Sequence, residues 1–355
     1  MPLATAPTPA FIEIAGRKIG PDQPPYVICE LSGNHNGALD RAMALLDAAA
    51  ATGADAIKLQ TYTPDTITLD MDGPDFTIEG GPWHGQRLYD LYGQAQTPYA
   101  WHAPLFERAK ALGVTLFSTP FDLTAIALLK GLNVPAYKIA SFELVDLPLI
   151  AAVARCGKPI IMSTGMANLA EIGAAVETAR AHGTGEIVLL HCTSAYPAPM
   201  DEANIRTIPD LAARFGVVAG LSDHTPGTAA SVAAVALGAC VIEKHFTLAR
   251  ADGGPDAAFS LEPHEFSALV TDCRAARRAL GQIQYDLAGS EAGNIQFRRS
   301  LYVVGDLAKG QRITADHVRS IRPGFGLAPK HLDAVLGKVA KRDLKRGEPV
   351  AWDMI

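Results

Sequence analysis

The sequence predicts an α/β protein whose larger part is a (β/α)8 barrel of the TIM type, followed by a small C-terminal domain. Three observations carry this reading. Short apolar runs alternate with helical stretches eight times, almost every run ends in polar residues, and the alternation stops near Phe297, where strand-like pieces and turns take over. A doubly wound open sheet more often has about five or six strands and a Gly-rich first turn, which is absent here.

In chain order, a Pro-rich lead and a strand-like piece, FIEIAGRKIG, precede the alternation. The eight apolar runs are Tyr26 to Leu31, Ala56 to Thr61, Thr115 to Pro120, Ala136 to Ser141, Pro159 to Gly165, Glu186 to Ser194, Val217 to Asp223 and Val241 to Phe246. Each is short, rich in β-branched or aromatic residues, and bounded by turn residues, as buried parallel strands are. Segments such as ALDRAMALLDAAAATG, AWHAPLFERAKALG and NLAEIGAAVETARAHG lie between them, with helical apolar spacing and a closing Gly. One interval, Tyr62 to Tyr99, is about twice the usual length and follows the second strand, so it belongs to the loops of the ligand-bearing face. It is a lid or a disordered insertion. The amphipathic pattern of WHGQRLYDLYGQA favours a lid that docks.

The last barrel helix is expected over about His264 to Gly281, and a polar link, YDLAGSEAGNIQ, follows it. The domains read as a barrel over 1–284, a linker over 285–296 and a small, markedly basic domain over 297–355. The 355-residue length accommodates both domains. A net charge of −6 with no basic, aromatic-interleaved patch argues against nucleic acid as a partner. No apolar stretch is long enough for a membrane span, and the lead lacks the pattern of a signal peptide, so the expected location is the cytoplasm. Cys29, Cys156, Cys192, Cys240 and Cys273 are widely spaced with no CxxC pair, and read as reduced thiols.

Layers of Val, Ile and Leu normally fill a barrel of this kind. Here period-two alternation puts Glu30 with Ser32, Lys58 with Gln60, Lys138 with Ala140, Ser222 with His224, and Glu243 with His245 on shared faces at the strands' C-terminal ends. Thr119, Ser141, Glu143, Ser163, Thr164, Thr193 and Ser194 lie at or just past the ends of the four strands between. Any one of these alone is an ordinary rim residue. Converging on one face, their charges must be paired, hydrated or used by a ligand, because burying an unpaired Lys or Glu costs several kcal/mol. Two lysines and several hydroxyls suit a phosphate or carboxylate, His224 and His245 on neighbouring strands suit a divalent metal, and Glu30 and Glu243 suit acid/base work or substrate hydroxyls. No GxxxxGK[ST] loop is present. The ligand these residues point to is a small phosphorylated anion with a polyhydroxylated partner.

The segments ELSGNHNG, STPFD, YKIAS, MSTGMA, HCTSAYPAP, GLSDHT and EKHFTL occur in the order found in the sialic acid synthase family, which the chain resembles almost end to end. The RPGFG stretch from Arg322 resembles that family's antifreeze-like (SAF) domain. Within the family the chain is most similar to the pseudaminic acid branch, through GGPWHGQRLYDLYGQAQTP, CTSAYPAP and ADGGPDAAFSLEP.

The resemblance implies condensation of phosphoenolpyruvate with an N-acylated amino sugar in its open-chain form, giving a nine-carbon 2-keto acid and phosphate. It assigns His224 and His245 to a divalent metal, Mn2+ or Mg2+, and counts both, with Glu30 and Lys138, as the catalytic set. Lys58, Thr119, Lys138, Ser141, Ser163 and Ser222 would hold phosphoenolpyruvate. Glu30 would face the reacting carbons, and Glu243 and Asp256 the sugar hydroxyls. Gln60 and Glu143, placed among them by the strand pattern, join the substrate contacts. Arg322 would reach an N-acyl group in the partner subunit of a domain-swapped homodimer. Ser194 stands where the family pattern has Asn, which puts that position's part in phosphate binding in doubt. The competing readings are the same chemistry on N-acetylmannosamine or a legionaminic acid precursor, and a non-catalytic carbohydrate-binding protein.

Overall fold

A computed structural model describes residues 11–183 and 185–355. The Pro-rich lead, and with it the reading of the N-terminus, lies outside the described residues. The chain divides into two units, one ending at Gly281 and one spanning Gln282–Ile355.

The first unit is the expected barrel. A hairpin, β1 (Ile12–Ile14) and β2 (Arg17–Ile19), leads into eight parallel strands. These are β3 (Tyr26–Glu30), β4 (Ala56–Thr61), β5 (Thr115–Pro120), β6 (Tyr137–Ile139), β7 (Ile160–Ser163), β8 (Ile187–Cys192), β9 (Val218–Asp223) and β10 (Val241–His245). They pair in chain order, and β10 pairs with β3 to close the ring. Several strands are shorter than their apolar runs. Ser141, expected inside a strand, instead opens a 3-10 turn, Ser141–Glu143, and its hydroxyl accepts the Gly165 N–H at 3.1 Å. The ladder ends at Ile139, just before this turn.

Alternation along the strands separates two apolar compartments. Outward residues such as Val27, Ile57, Ile139, Leu189, Leu221 and Ile242 pack against the surrounding helices. Inward residues Tyr26, Ile28, Phe117, Ile161, Val188, Val218 and Val241 fill the lower half of the barrel, where Ile12, Ile14 and Ile19 of the hairpin join them. Two residues further along six of the eight strands, the same inward face becomes polar: Ile28 gives way to Glu30, Ala56 to Lys58, Phe117 to Thr119, Ala136 to Lys138, Ile161 to Ser163 and Val241 to Glu243. The barrel is a packed plug below and a polar cup above.

The helices start where the sequence signals them. In the helix over Leu123–Gly131 the Asp122 carboxylate accepts the N–H groups of Thr124 and Ala125, and the helix over Leu169–His182 opens with a capping box between Asn168 and Glu171. Such caps are each worth about 1 kcal/mol. The long interval after β4 contains a helix, Leu88–Ala95, which buries Leu91 and Ala95. It sits directly over Gly33, where an added Cβ would lie 2.9 Å from that of Ala95, so only glycine admits this approach. The last barrel helix runs Pro263–Leu280.

The C-terminal unit contains an antiparallel pair, β11 (Ser300–Val303) and β12 (Val318–Ile321), around a small core of Leu301, Val303, Leu307, Ile313, Val318, Val335, Leu344 and Val350. Among the described residues no helix is long and apolar enough to cross a membrane, and the five cysteines are unpaired.

Candidate active site

The polar cup is a network of side chains from seven of the eight strands. Lys58 on β4 is its hub, with Nζ 2.5 Å from Oε2 of Glu30, 3.0 Å from the Thr119 hydroxyl and 3.7 Å from Oε1 of Glu243. Gln60 donates to the other Glu30 oxygen at 3.0 Å. On the opposite side Lys138 donates to the Ser163 hydroxyl at 2.6 Å and lies 3.7 Å from the same Glu243 oxygen, to which Ser222 donates at 3.4 Å. Both lysine side chains are 4% exposed or less.

Their electrostatics follow from this crowding. Burial alone would strip Lys58 of its proton, but Glu243 and Glu30 outweigh it and hold its pKa above the ordinary value. Lys138, with Glu243 nearby but a second ammonium facing it, is pushed down, first by burial. Burial also opposes the charge of Glu243, yet Lys138, Lys58 and His224 together hold its carboxyl below the usual range. Glu30 is raised, by burial first and by the charge of Glu243. Of the two carboxylates, Glu30 is therefore the readier to take up a proton.

His224 follows β9 and His245 ends β10, with ring centroids 5.3 Å apart. Each ring is oriented through Nδ1: His224 to the Thr193 carbonyl at 3.0 Å and His245 to the Ser32 hydroxyl at 3.2 Å. Neither Nε2 makes a hydrogen bond among the described residues, which leaves both presented to a ligand. Burial and the positive neighbours hold His245 well below its ordinary pKa, in the neutral form that metals require. Among the described residues no cluster of three or more His, Cys, Asp or Glu side chains is arranged to hold a metal ion. Two oriented imidazoles beside the orphaned, buried Oε2 of Glu243 do fit a divalent cation whose remaining positions come from water or substrate.

The hydroxyls of Ser141 and Ser194 converge on Gly165, where a Cβ would lie 2.8 Å and 2.1 Å from them. This makes a small polar cradle at the ends of β6, β7 and β8. Asp256 reaches the first loop, its carboxylate accepting the Gly33 N–H at 3.5 Å, and burial raises its pKa. Glu30, Lys58, Gln60, Thr119, Lys138, Ser163, Ser222 and Glu243 thus form one network, with His224, His245, Ser141, Ser194 and Asp256 on the same barrel mouth. Arg322 belongs to the other unit, where it is exposed just after β12 and makes no ion pair among the described residues.

Glu143, at the end of the turn after β6, has an orphaned Oε2, and burial lifts its pKa from 4.5 to about 7. Its folded-state value lies above the unfolded one, so the folded protein holds an extra proton between those limits, and stability falls as pH rises through the window. Glu143→Gln removes that slope. Thermal melts at pH 5 and pH 7 (about the two ends of the window) should show the wild type losing ground to the variant at the higher pH; parallel behaviour would contradict the assignment.

Sequence reasoning did not find three features here. Lys244 and Asp223, on the outward faces of β10 and β9, form a fully buried ion pair at 2.8 Å immediately before the two histidines. Strand parity could have paired them, since both are charged residues at outward, apolar positions. Cys192 lies 3.8 Å from Nδ1 of His224. An aromatic group, Tyr196 and Phe259 with Trp83 from the long loop, stands against the histidines, Tyr196 to His224 at 4.4 Å and Phe259 to His245 at 5.0 Å between ring centroids. Nothing in sequence spacing brings those three together.

Comparison with known proteins gives a consistent result. The NeuB family profile matches residues 45–285 and the SAF domain profile matches residues 298–355. The chain is 44% identical to a pseudaminic acid synthase of Campylobacter jejuni, over 92% of this chain and 95% of that one. It is 42% identical to a pseudaminic acid synthase of Helicobacter pylori, over 94% and 98% respectively. Among solved structures, an N-acetylneuraminic acid synthetase from Leptospira borgpetersenii, crystallised with citrate, superposes with a TM-score of 0.72 at 32% identity, covering 80% of this chain and 95% of that one.

Proposed function

The chain belongs to the NeuB family, and from that premise we infer that it condenses phosphoenolpyruvate with 2,4-diacetamido-2,4,6-trideoxy-L-altrose and water, giving pseudaminic acid and phosphate. The near end-to-end likeness to two pseudaminic acid synthases carries this reading. The reaction is a carbon–carbon bond-forming transfer.

The barrel mouth suits each step. Lys58 and Lys138, with Thr119, Ser141, Ser163, Ser194 and Ser222, hold the phosphate and carboxylate of phosphoenolpyruvate. In the absence of substrate the lysines pair with Glu30 and Glu243, which keeps their charge in place at low reorganisation cost. Glu243, Asp256, Gln60 and Glu143 hold the sugar. The methylene carbon of phosphoenolpyruvate bonds to the aldehyde carbon, whose oxygen takes the carbonyl electrons and a proton and becomes a hydroxyl. Water adds at the adjoining carbon, and that carbon's bond to the phosphate oxygen breaks as its new hydroxyl loses its proton to form the keto group. Glu30, with its raised pKa, takes the proton from the water. The lysines offset the charge of the departing phosphate.

His224 and His245 would hold the divalent metal, Mn2+ or Mg2+, which supplies Lewis-acid polarisation of the sugar's aldehyde oxygen. A homodimer in which Arg322 of one copy contacts the N-acyl group of the sugar bound by its partner completes the reading, supported by the exposure of Arg322. The domain limits that go with it are 1–284 for the barrel, 285–296 for the linker and 297–355 for the SAF domain. A cytoplasmic location agrees with five unpaired cysteines.

Phosphate release from phosphoenolpyruvate tests the reading directly. It should require the amino sugar, disappear on chelation and return with Mn2+ or Mg2+. Release that ignores the sugar, or a protein that binds sugar without any turnover, would overturn it.

A further inference from the structure

We propose that Trp83, on the loop after β4, is a specificity-determining residue: with Tyr196 and Phe259 it forms an apolar wall that takes the methyl groups of a deoxygenated, doubly acetylated amino sugar. The inference rests on the function proposed above and names how that site selects its sugar.

The loop is built to present this residue. Ile78 and Gln86 close a tight hairpin, Ile78 N–H to the Gln86 carbonyl and Gly85 N–H to the Ile78 carbonyl, both at 2.9 Å, with a bridge between Thr77 and Arg87 behind it. The Gly80 N–H donates to His84 Nδ1 at 2.8 Å and braces the tip. Trp83 projects from that tip, and its Nε1–H donates to the Pro255 carbonyl at 2.8 Å, across 172 residues of chain. The indole then packs on Tyr196 at 5.6 Å and on Phe259 edge-on at 6.3 Å, while Tyr196 and Phe259 meet at 5.1 Å.

Two consequences follow from chemistry. The single N–H of the indole is already used, so Trp83 offers carbon alone to whatever lies beside it. The wall also stands on the two histidines, through the ring contacts of Tyr196 with His224 and of Phe259 with His245, so a sugar whose aldehyde lies at those histidines must run along it. A hydroxyl turned toward the carbon faces of Trp83 and Phe259 loses its hydrogen bonds to water and gains none there. A methyl group gains contact instead. The 2,4-diacetamido-2,4,6-trideoxy sugar carries two acetyl methyls and a C6 methyl, whereas N-acetylmannosamine carries one acetyl methyl and hydroxyls at C4 and C6. The wall fits the first and penalises the second.

The test is steady-state kinetics of phosphate release by wild type, Trp83→Ala and Trp83→Phe, varying each sugar and phosphoenolpyruvate in turn. Trp83→Ala should raise the KM for the diacetamido sugar about 10- to 100-fold, the range that one lost apolar contact in a pocket commands, with KM for phosphoenolpyruvate unchanged. The preference for that sugar over N-acetylmannosamine should fall by a similar factor. Trp83→Phe, which keeps an aromatic face, should restore part of it and guards against a loop that Ala has merely disordered. If both variants keep the wild-type preference within about twofold, or if the KM values for sugar and phosphoenolpyruvate rise together, the wall does not select the sugar and the proposal is wrong. A wild-type enzyme that releases phosphate only with N-acetylmannosamine overturns the functional reading itself, and the wall with it.

Discussion

Lys138→Met should cut kcat/KM for phosphoenolpyruvate by about 10³-fold while the barrel stays folded, at the upper end of what removing one preorganised charge-stabilising donor costs. The ammonium of Lys138 is 2% exposed and fixed by the Ser163 hydroxyl at 2.6 Å and the Ile139 carbonyl at 3.1 Å, so it meets a phosphate without being reorganised. Methionine fills nearly the same volume, and the Glu243 left behind keeps Lys58 3.7 Å away as its counter-ion. The loss therefore falls on catalysis more than on stability. Phosphate-release kinetics together with a circular-dichroism melt separate the two. A variant within about threefold of wild type would remove Lys138 from the phosphate site.

The second large effect is on the fold. Asp223→Ala should destabilise the barrel by about 3–5 kcal/mol, because it leaves the Lys244 ammonium buried without its partner. Both side chains are 1% exposed or less, and Asp223 is also held by the hydroxyls of Thr225 at 2.7 Å and Ser231 at 2.5 Å. The Asp223→Leu/Lys244→Met double variant removes both charges and should recover most of the loss, as apolar replacements of buried pairs often do. Denaturant melts of the single and double variants check this. Equal destabilisation in both would mean that the pair itself, rather than the stranded charge, holds β9 to β10. Those two strands carry the histidines, so this brace sets the ground on which the proposed metal site stands.

The barrel was legible because its signal is repeated. Eight apolar runs with helical spacers leave few alternatives, and the strand register, paired in chain order, follows once the ring is closed. The polar cup was legible for a related reason: two-residue alternation carries the inward face from Ile28 to Glu30 and from Ala56 to Lys58 without any knowledge of neighbours. Strand ends were less readable. Apolar runs continue past the point where the backbone leaves the ladder, as at Ser141, and only the hydrogen bond to Gly165 explains why it leaves there.

Contacts made by loops were not legible at all. Trp83 and Pro255 are neither periodic nor near one another in sequence, and their meeting depends on where two loops emerge from a closed barrel. The Asp223 and Lys244 pair lies between these extremes. Strand parity turns both Asp223 and Lys244 away from the site, and the register of β9 against β10 sets them opposite one another.

The most direct measurement is the mass spectrum of the product formed from phosphoenolpyruvate, Mn2+ and a panel of amino sugars. The account predicts that the diacetamido trideoxy altrose yields a nine-carbon 2-keto acid of the mass of pseudaminic acid, with one phosphate released for each product molecule. A product formed from N-acetylmannosamine in preference, or no condensation product with any sugar while the protein is folded and metal-replete, would contradict it.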